Sequence, residues 1–220
     1  MLVPVSSREV NVMRQWFRSA VVPLGLLLAG MSLSIPSSAE SPAAPIRVRG
    51  VISAIEGNVL VIATREGPSV KVALADNVRV SAVKALDMSA IKPGNFIGTA
   101  AAPTADGGLQ SLEVVVFPDE MRGTGEGHYD WDLTPGSSMT NATVDAVVES
   151  ANGRDLQLSY KGGSIKISVP PNAPIVTFES FDRKELKAGL PIYTPATKAV
   201  DGSLSAARVV VGKDGLKPPM

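Results

Sequence analysis

The sequence contains no cysteine. Disulfide frameworks, cysteine-ligated zinc sites, iron–sulfur clusters and cysteine nucleophiles are thereby excluded. A chain without thiols is compatible with an oxidising compartment, where a stray thiol mispairs. Aromatic residues are scarce, at 5%, and there is a single histidine, His128. With one imidazole and no Gly-x-Ser-x-Gly elbow, nucleophilic catalysis has little to build on, and the chain is expected not to be an enzyme. Neither charge is in excess, since 21 Lys and Arg stand against 21 Asp and Glu. That balance gives no electrostatic footprint for nucleic acid and no polybasic membrane patch. Long apolar runs are also missing: the one stretch of note, residues 20–35, contains Pro23 and falls short of the ~20 clean residues of a membrane helix.

That stretch reads instead as the core of a secretory signal. Arg14 and Arg18 precede it, and the small residues Ser37 and Ala39 follow at the −3 and −1 positions of a cleavage site. The expected signal peptide is 1–39, with Met13 as an alternative start. Met31 occupies the place of the lipidated cysteine in a lipoprotein signal, and Arg14 and Arg18 are not a twin-arginine pair. The expected product is Sec-exported, non-lipidated and periplasmic or secreted, with no membrane span in the mature chain. Cleavage removes Arg8, Arg14, Arg18 and Glu9 and leaves a net charge near −2. Residues 40–45 then form a flexible lead-in and 212–220 a flexible tail.

What the chain has in plenty is Val, Ile, Ala and Gly, with 17 prolines and 20 glycines, a composition suited to short strands and turns. It also repeats itself. Ile91-Lys92-Pro93-Gly94 and Leu186-Lys187-Ala188-Gly189 lie 95 residues apart, and the same offset aligns Ile97 with Ile192, Thr99 with Thr194, Asp106-Gly107 with Asp201-Gly202, and Ser69-Val-Lys-Val72 with Ser164-Ile-Lys-Ile167. Small indels in turns bring Ile52-Ser-Ala-Ile55 onto Val144-Asp-Ala-Val147. Period-2 alternation predicts six strands in each half: 46–55, 58–64, 69–74, 77–82, 95–102 and 109–117, then 140–150, 154–160, 164–170, 175–178, 190–195 and 204–211. Gly57-Asn58, Glu66-Gly67, Asn152-Gly153 and Gly162-Gly163 supply hairpin-type turns. A helical turn is expected at 84–92 and again at 181–187, each ending at a glycine and plugging one barrel end. Lys92 and Lys187 are then exposed turn charges. The fold class is all-β: two tandem small barrels of the oligonucleotide-binding-like or a similar Greek-key kind, at 46–117 and 140–211, after the signal peptide. A single sandwich built from both halves is the rival.

An export signal followed by repeats of GVI…NVLVI…VKV…IKPGNFI…DGGL…VVV resembles a bacterial secreted family known as domain of unknown function 5666. The connector PDEMRGTGEGHYDWDLTPGSSMTNATV is similar to that of its alphaproteobacterial members. The resemblance covers nearly all of residues 47–211. It implies a periplasmic setting and β-barrel repeats, and it brings no catalytic residue and no ligand.

The Gly- and Pro-rich connector, 118–139, does not read as scaffold. It holds His128 and Trp131, which is the one tryptophan outside the signal segment, and it is longer than connections in compact domains usually are. Two readings are open. In the first, Glu126, His128, Asp130 and Asp132 bind a metal. His128, Asp130 and Asp132 alternate, so an extended segment points all three one way, and oxygen-rich ligation with one imidazole suits Mn, Zn or Ni. In the second and preferred reading, Trp131 plugs a groove between the barrels, His128 hydrogen-bonds nearby and Arg122 pairs with an acid, leaving Arg122, Tyr129 and Trp131 as interaction residues. The Gly123–Gly127 spacing lacks the following helix and the lysine of a phosphate loop. The expected function is a non-enzymatic periplasmic binding or interaction module whose partner is an envelope protein, a glycan or a peptide. The alternative is a metal-binding accessory protein using His128, Asp130 and Asp132.

Overall fold

The computed structural model describes residues 45–65, 67–150 and 153–218. The expected signal segment, the start at Met13, most of the lead-in, and the turn residues Glu66 and Asn152 lie outside the described residues. Among those described, the chain is all-β and forms one compact unit. Its strands are β1 (Ile46–Glu56), β2 (Val59–Thr64), β3 (Val70–Ala85), β4 (Phe96–Pro103), β5 (Leu109–Val116), β6 (Gly127–Asp130), β7 (Ser138–Ser150), β8 (Gly153–Tyr160), β9 (Gly163–Val169), β10 (Ile175–Ser180), β11 (Pro191–Lys198) and β12 (Leu204–Val211). No helix among the described residues is long and apolar enough to cross a membrane.

Two expected strands, 69–74 and 77–82, are one long strand, β3. Asp76 and Asn77 are exposed and bulge instead of turning: β12 matches Leu74 to Ala206 and Arg79 to Arg208, so β3 carries the surplus residues between them. The corresponding stretch of the second half does break, into β9 and β10. Pro170, Pro171 and Pro174 stand there, and proline has no N–H to continue a ladder.

The strands close into a five-stranded barrel in the order β1-β2-β3-β12-β11, with β3 and β12 parallel and the other neighbours antiparallel. A second ring repeats that order as β7-β8-β9-β5-β4 and closes where Gln110 of β5 meets Ser168 of β9. The expectation that 46–117 and 140–211 each close on their own strands is therefore corrected. Each ring takes three strands from one half and two from the other. The physical reason lies in the middle of the molecule. The C-terminal part of β3 pairs antiparallel with β10, matching Ala85 to Val176 and Ser81 to Ser180, and a 95-residue shift turns one of these pairs into the other. This self-complementary contact carries each half's last two strands across to the other half's first three.

Three apolar clusters follow from this layout. Ile52, Leu60, Ile62, Val72 and Val209 fill the first ring, and Ile97, Val114, Val144, Leu156, Leu158 and Ile167 fill the second. Each such side chain, fully withdrawn from water, contributes ~1.5–3 kcal/mol. The third cluster, with Phe96, Val115, Phe117, Val176, Tyr193 and Val210, joins the rings. Matching hydrogen bonds recur 95 residues apart: Thr99 donates to Glu113 O and Thr194 to Arg208 O, while the Gly94 and Gly189 N–H groups donate to Val144 O and Ile52 O. The expected helical plugs are shorter, 3-10 turns at Met88–Ala90 and Arg183–Glu185. Met88 and Ile91 pack into the second ring's core, and Phe181 and Leu186 into the first's. Residues 212–218 of the expected flexible tail are docked. Gly212 N–H donates to Pro191 O, Lys213 pairs with Glu179 at 3.1 Å, and Leu216 packs on the cluster between the rings.

Candidate functional site

The connector folds onto both rings. Residues 127–130 form β6, which adds to the edge of β7 with His128 opposite Thr140 and Asp130 opposite Ser138. The loop that follows is locked by Ser137, which is buried. Its hydroxyl lies 2.8 Å from Thr134 O and 3.0 Å from Trp131 O and accepts from the Thr134 N–H, while its carbonyl accepts from the Trp131 N–H. Gly136, at φ 74°, makes the turn that Pro135 starts. The loop so formed pushes Trp131 against the first ring. The Arg47 guanidinium stands 3.8 Å from the centre of the Trp131 ring, and Tyr129 meets the indole edge-on at 6.0 Å. Asp132 then takes a 2.7 Å hydrogen bond from Arg49 and lies 3.5 Å from Arg47.

Behind Trp131 is a cavity of about 100 Å³ where the two rings and the connector meet. Tyr129, Trp131, Asn141, Tyr193 and Arg208 give it its polar lining, and Phe117 and Phe178 its apolar walls. Two buried polar atoms of this lining have no hydrogen-bond partner among the described residues: Trp131 Nε1, a donor, and Asn141 Oδ1, an acceptor. Leaving such groups unpaired costs about 1–3 kcal/mol each. Arg208 forms no ion pair among the described residues. Burial raises the Tyr129 and Tyr193 phenols above their ordinary 10.0, against the opposing pull of nearby arginines, so both are neutral donors at neutral pH. A larger groove of about 460 Å³ shares Thr124, Phe178 and Arg208 with the cavity and continues past Met121 to Arg79.

The four residues expected to ligate a metal are not brought together. His128 Nδ1 is 2.8 Å from Thr140 Oγ1, and its ring lies 6.3 Å from that of Tyr160. Glu126 accepts from the Lys161 N–H, and Asp132 is held by Arg49 and Arg47. Asp130 is exposed. The extended segment ends at Asp130, so the alternation needed to aim Asp132 beside His128 stops short. Among the described residues no group of three or more His, Asp or Glu side chains is placed to hold a metal. Of the expected interaction residues, Tyr129 and Trp131 line the cavity. Arg122 is elsewhere, donating to Gly94 O at 2.8 Å and lying 3.5 Å from Asp119.

Arg47, Arg49, Asn141, Tyr193 and Arg208 escaped the sequence reading. The signal that finds them is the repeat itself, read for difference and not for likeness. Tyr193 stands 95 residues after Gly98, and Arg208 after Glu113. On β1 and β7, which lie opposite equivalent residues of β11 and β4, Arg49 corresponds to Asn141 and Arg47 to Met139. The core positions keep their apolar character across the two halves, and the residues around the cavity do not. No family model, no curated protein and no solved structure matches the chain.

Proposed function

We propose that this chain is a non-enzymatic, exported binding module whose ligand site is the cavity between Trp131, Tyr193 and Arg208. The observation that carries the reading is a pair of buried atoms without partners among the described residues, Trp131 Nε1 and Asn141 Oδ1, on side chains that line a cavity together with Arg208, which forms no ion pair among those residues. A structural plug needs none of these, and apolar side chains would fill the space at lower cost. The ring order, with a parallel third–fifth pairing, supports reading each ring as an oligonucleotide-binding-like barrel, and the recurring hydrogen bonds support their origin by tandem duplication. Barrels of that kind bind ligands on the face of strands two and three and the neighbouring loops. Here the polar lining comes from β7, β11, β12 and the connector, so the ligand site is one that only the pairing of two rings creates. The balanced charge argues against nucleic acid. The signal-like residues 1–39 and the resemblance to a secreted family support export to the periplasm.

Screening glycan fragments and short peptides by Trp131 emission tests the binding reading. One ligand class shifts the emission saturably, and Trp131→Phe together with Tyr193→Phe weakens its binding measured by calorimetry. Saturable binding that both substitutions leave unchanged places the ligand elsewhere on the molecule. For export, N-terminal sequencing of protein from a periplasmic fraction is expected to begin at Glu40.

A further inference from the structure

We propose that the cavity takes a carboxylate, the acidic end group of a longer ligand, with its charge on Arg208. The inference rests on the binding reading above and names the chemistry of that same site. The sign and number of the groups available select the ligand. Arg208, the Trp131 indole N–H and the phenols of Tyr129 and Tyr193 are all hydrogen-bond donors lining one small space, against a single unpartnered acceptor, Asn141 Oδ1. Donors in such excess beside a cation select an anion. The charge count then selects among anions. Arg47 and Arg49 share the one carboxylate of Asp132 and neither lines the cavity, so the one cation in the lining is Arg208. A phosphate monoester brings a charge of about −1.5 to −2 at neutral pH, more than that one guanidinium balances. A carboxylate brings one charge, and its plane matches the fork of a guanidinium.

Size and position agree. A cavity of about 100 Å³ is smaller than the ~150 Å³ that takes a benzene ring, and it suits a carboxylate better than a sugar or aromatic ring. The body of the ligand leaves past Phe178 and Thr124, the residues the cavity shares with the 460 Å³ groove. Two acids also line that groove. Glu179 is neutralised by Lys213 at 3.1 Å, and Glu120 stands among the groove residues that are not part of the cavity, so neither faces the carboxylate position.

The test uses the full chain carrying Trp16→Phe, so that emission reports Trp131 alone. The probes are glucuronate, its neutral amide glucuronamide, acetate and inorganic phosphate, followed by fluorescence and by calorimetry. The expected result is saturable binding of glucuronate and acetate, with glucuronamide weaker by tenfold or more. Arg208→Gln is expected to reduce glucuronate binding at least tenfold, and Arg79→Gln, in the outer groove, less than threefold. Circular dichroism checks that both variants are folded, and the amide comparison needs no variant at all. Equal binding of glucuronate and glucuronamide overturns the carboxylate inference while leaving a ligand site at the cavity. Phosphate binding more tightly than carboxylate also overturns it, as does undiminished binding by folded Arg208→Gln. Silence of every probe overturns it too, and the binding reading is then judged on its own by the ligand screen.

Discussion

Arg49 is 4% exposed, and withdrawing a guanidinium from water is costly unless its charge is met. Asp132 meets it at 2.7 Å, and the Tyr193 ring lies 5.7 Å from its guanidinium carbon. Burial pushes the Asp132 carboxyl up, but the Arg49 hydrogen bond and the charges of Arg49 and Arg47 outweigh it and hold the group below its ordinary 3.8. A depressed carboxyl stabilises the fold above its ordinary value, and that stabilisation is lost as pH falls through the folded value. Asp132→Asn is therefore expected to lower the unfolding free energy measured in urea at pH 6, by at most about 1 kcal/mol because the carboxylate is half exposed. The gap to the parent protein narrows as pH is taken below 3.8, and a gap of constant size would refute the linkage. Gly98 offers a second test at this scale. A Cβ there would stand 2.6 Å from Asn141 Oδ1 and 2.9 Å from the Phe117 ring. Gly98→Ala is expected to cost about 1–3 kcal/mol in thermal unfolding and to displace Asn141 from the cavity wall. In the other half Tyr193 occupies the equivalent position and builds that wall, so the two halves use one position for opposite purposes.

Among the elements, the loop between β6 and β7 decides where Trp131 sits. Four residues of strand pairing are a small anchor, and Ser137 supplies the rest by tying Trp131 and Thr134 to one buried hydroxyl. Ser137→Ala leaves those backbone groups without that partner, at about 1–3 kcal/mol. The cost falls on the loop alone, because the barrel strands do not use Ser137. The expected outcome is a red-shifted Trp131 emission and a weakened contact with Arg47, with far-ultraviolet circular dichroism unchanged. A melting curve in which loop and barrels lose structure together, with no shift beforehand, would show that the loop is not a separate unit. The connector's excess of glycine is explained in part by the same geometry. Gly125 has φ 57° and its Cβ would lie 3.0 Å from Asn141 Nδ2, so a side chain there meets both backbone strain and the cavity wall.

At the scale of the molecule, the exchange of strands makes the halves interdependent. Without β11 and β12 the first ring has open edges on β1 and β3, and without β4 and β5 the second has them on β7 and β9. Open edges of this length invite pairing. A fragment spanning residues 42–117 is therefore expected not to give a folded monomer. Sedimentation should find it associated, and a nitrogen–proton correlation spectrum should lack dispersed monomer resonances. Adding the complementary fragment, 118–218, is expected to restore a dispersed 1:1 complex. A well-dispersed monomer from the first fragment alone would mean that the half can close on its own strands after all. The cavity belongs to this scale too. Tyr193 and Arg208 come from the end of the chain, and Trp131 and Asn141 from its middle, so nothing short of the assembled pair of rings makes the site.

Strand periodicity, the Gly-centred turns and the 95-residue repeat were all legible in the sequence, because alternation and turn chemistry act over a few residues and leave a local trace. Ten of the strands were anticipated as single elements within a few residues. The exceptions have physical reasons. Asp76-Asn77 has the composition of a turn, but pairing with β12 on one side holds the strand through it as a bulge. β6 has no alternating apolar face, and it becomes a strand because the open edge of β7 accepts it. Trp131 and Tyr129 could be singled out in advance because tryptophan is rare in this chain. Arg47, Arg49 and Arg208 could not, since an arginine in a strand is an ordinary solvated residue until the fold buries it. Which half supplies which strand was decided only in three dimensions. A repeat shows that two stretches have the same partners to offer. It does not say whose partners they take, and here the self-complementary contact between β3 and β10 made the choice.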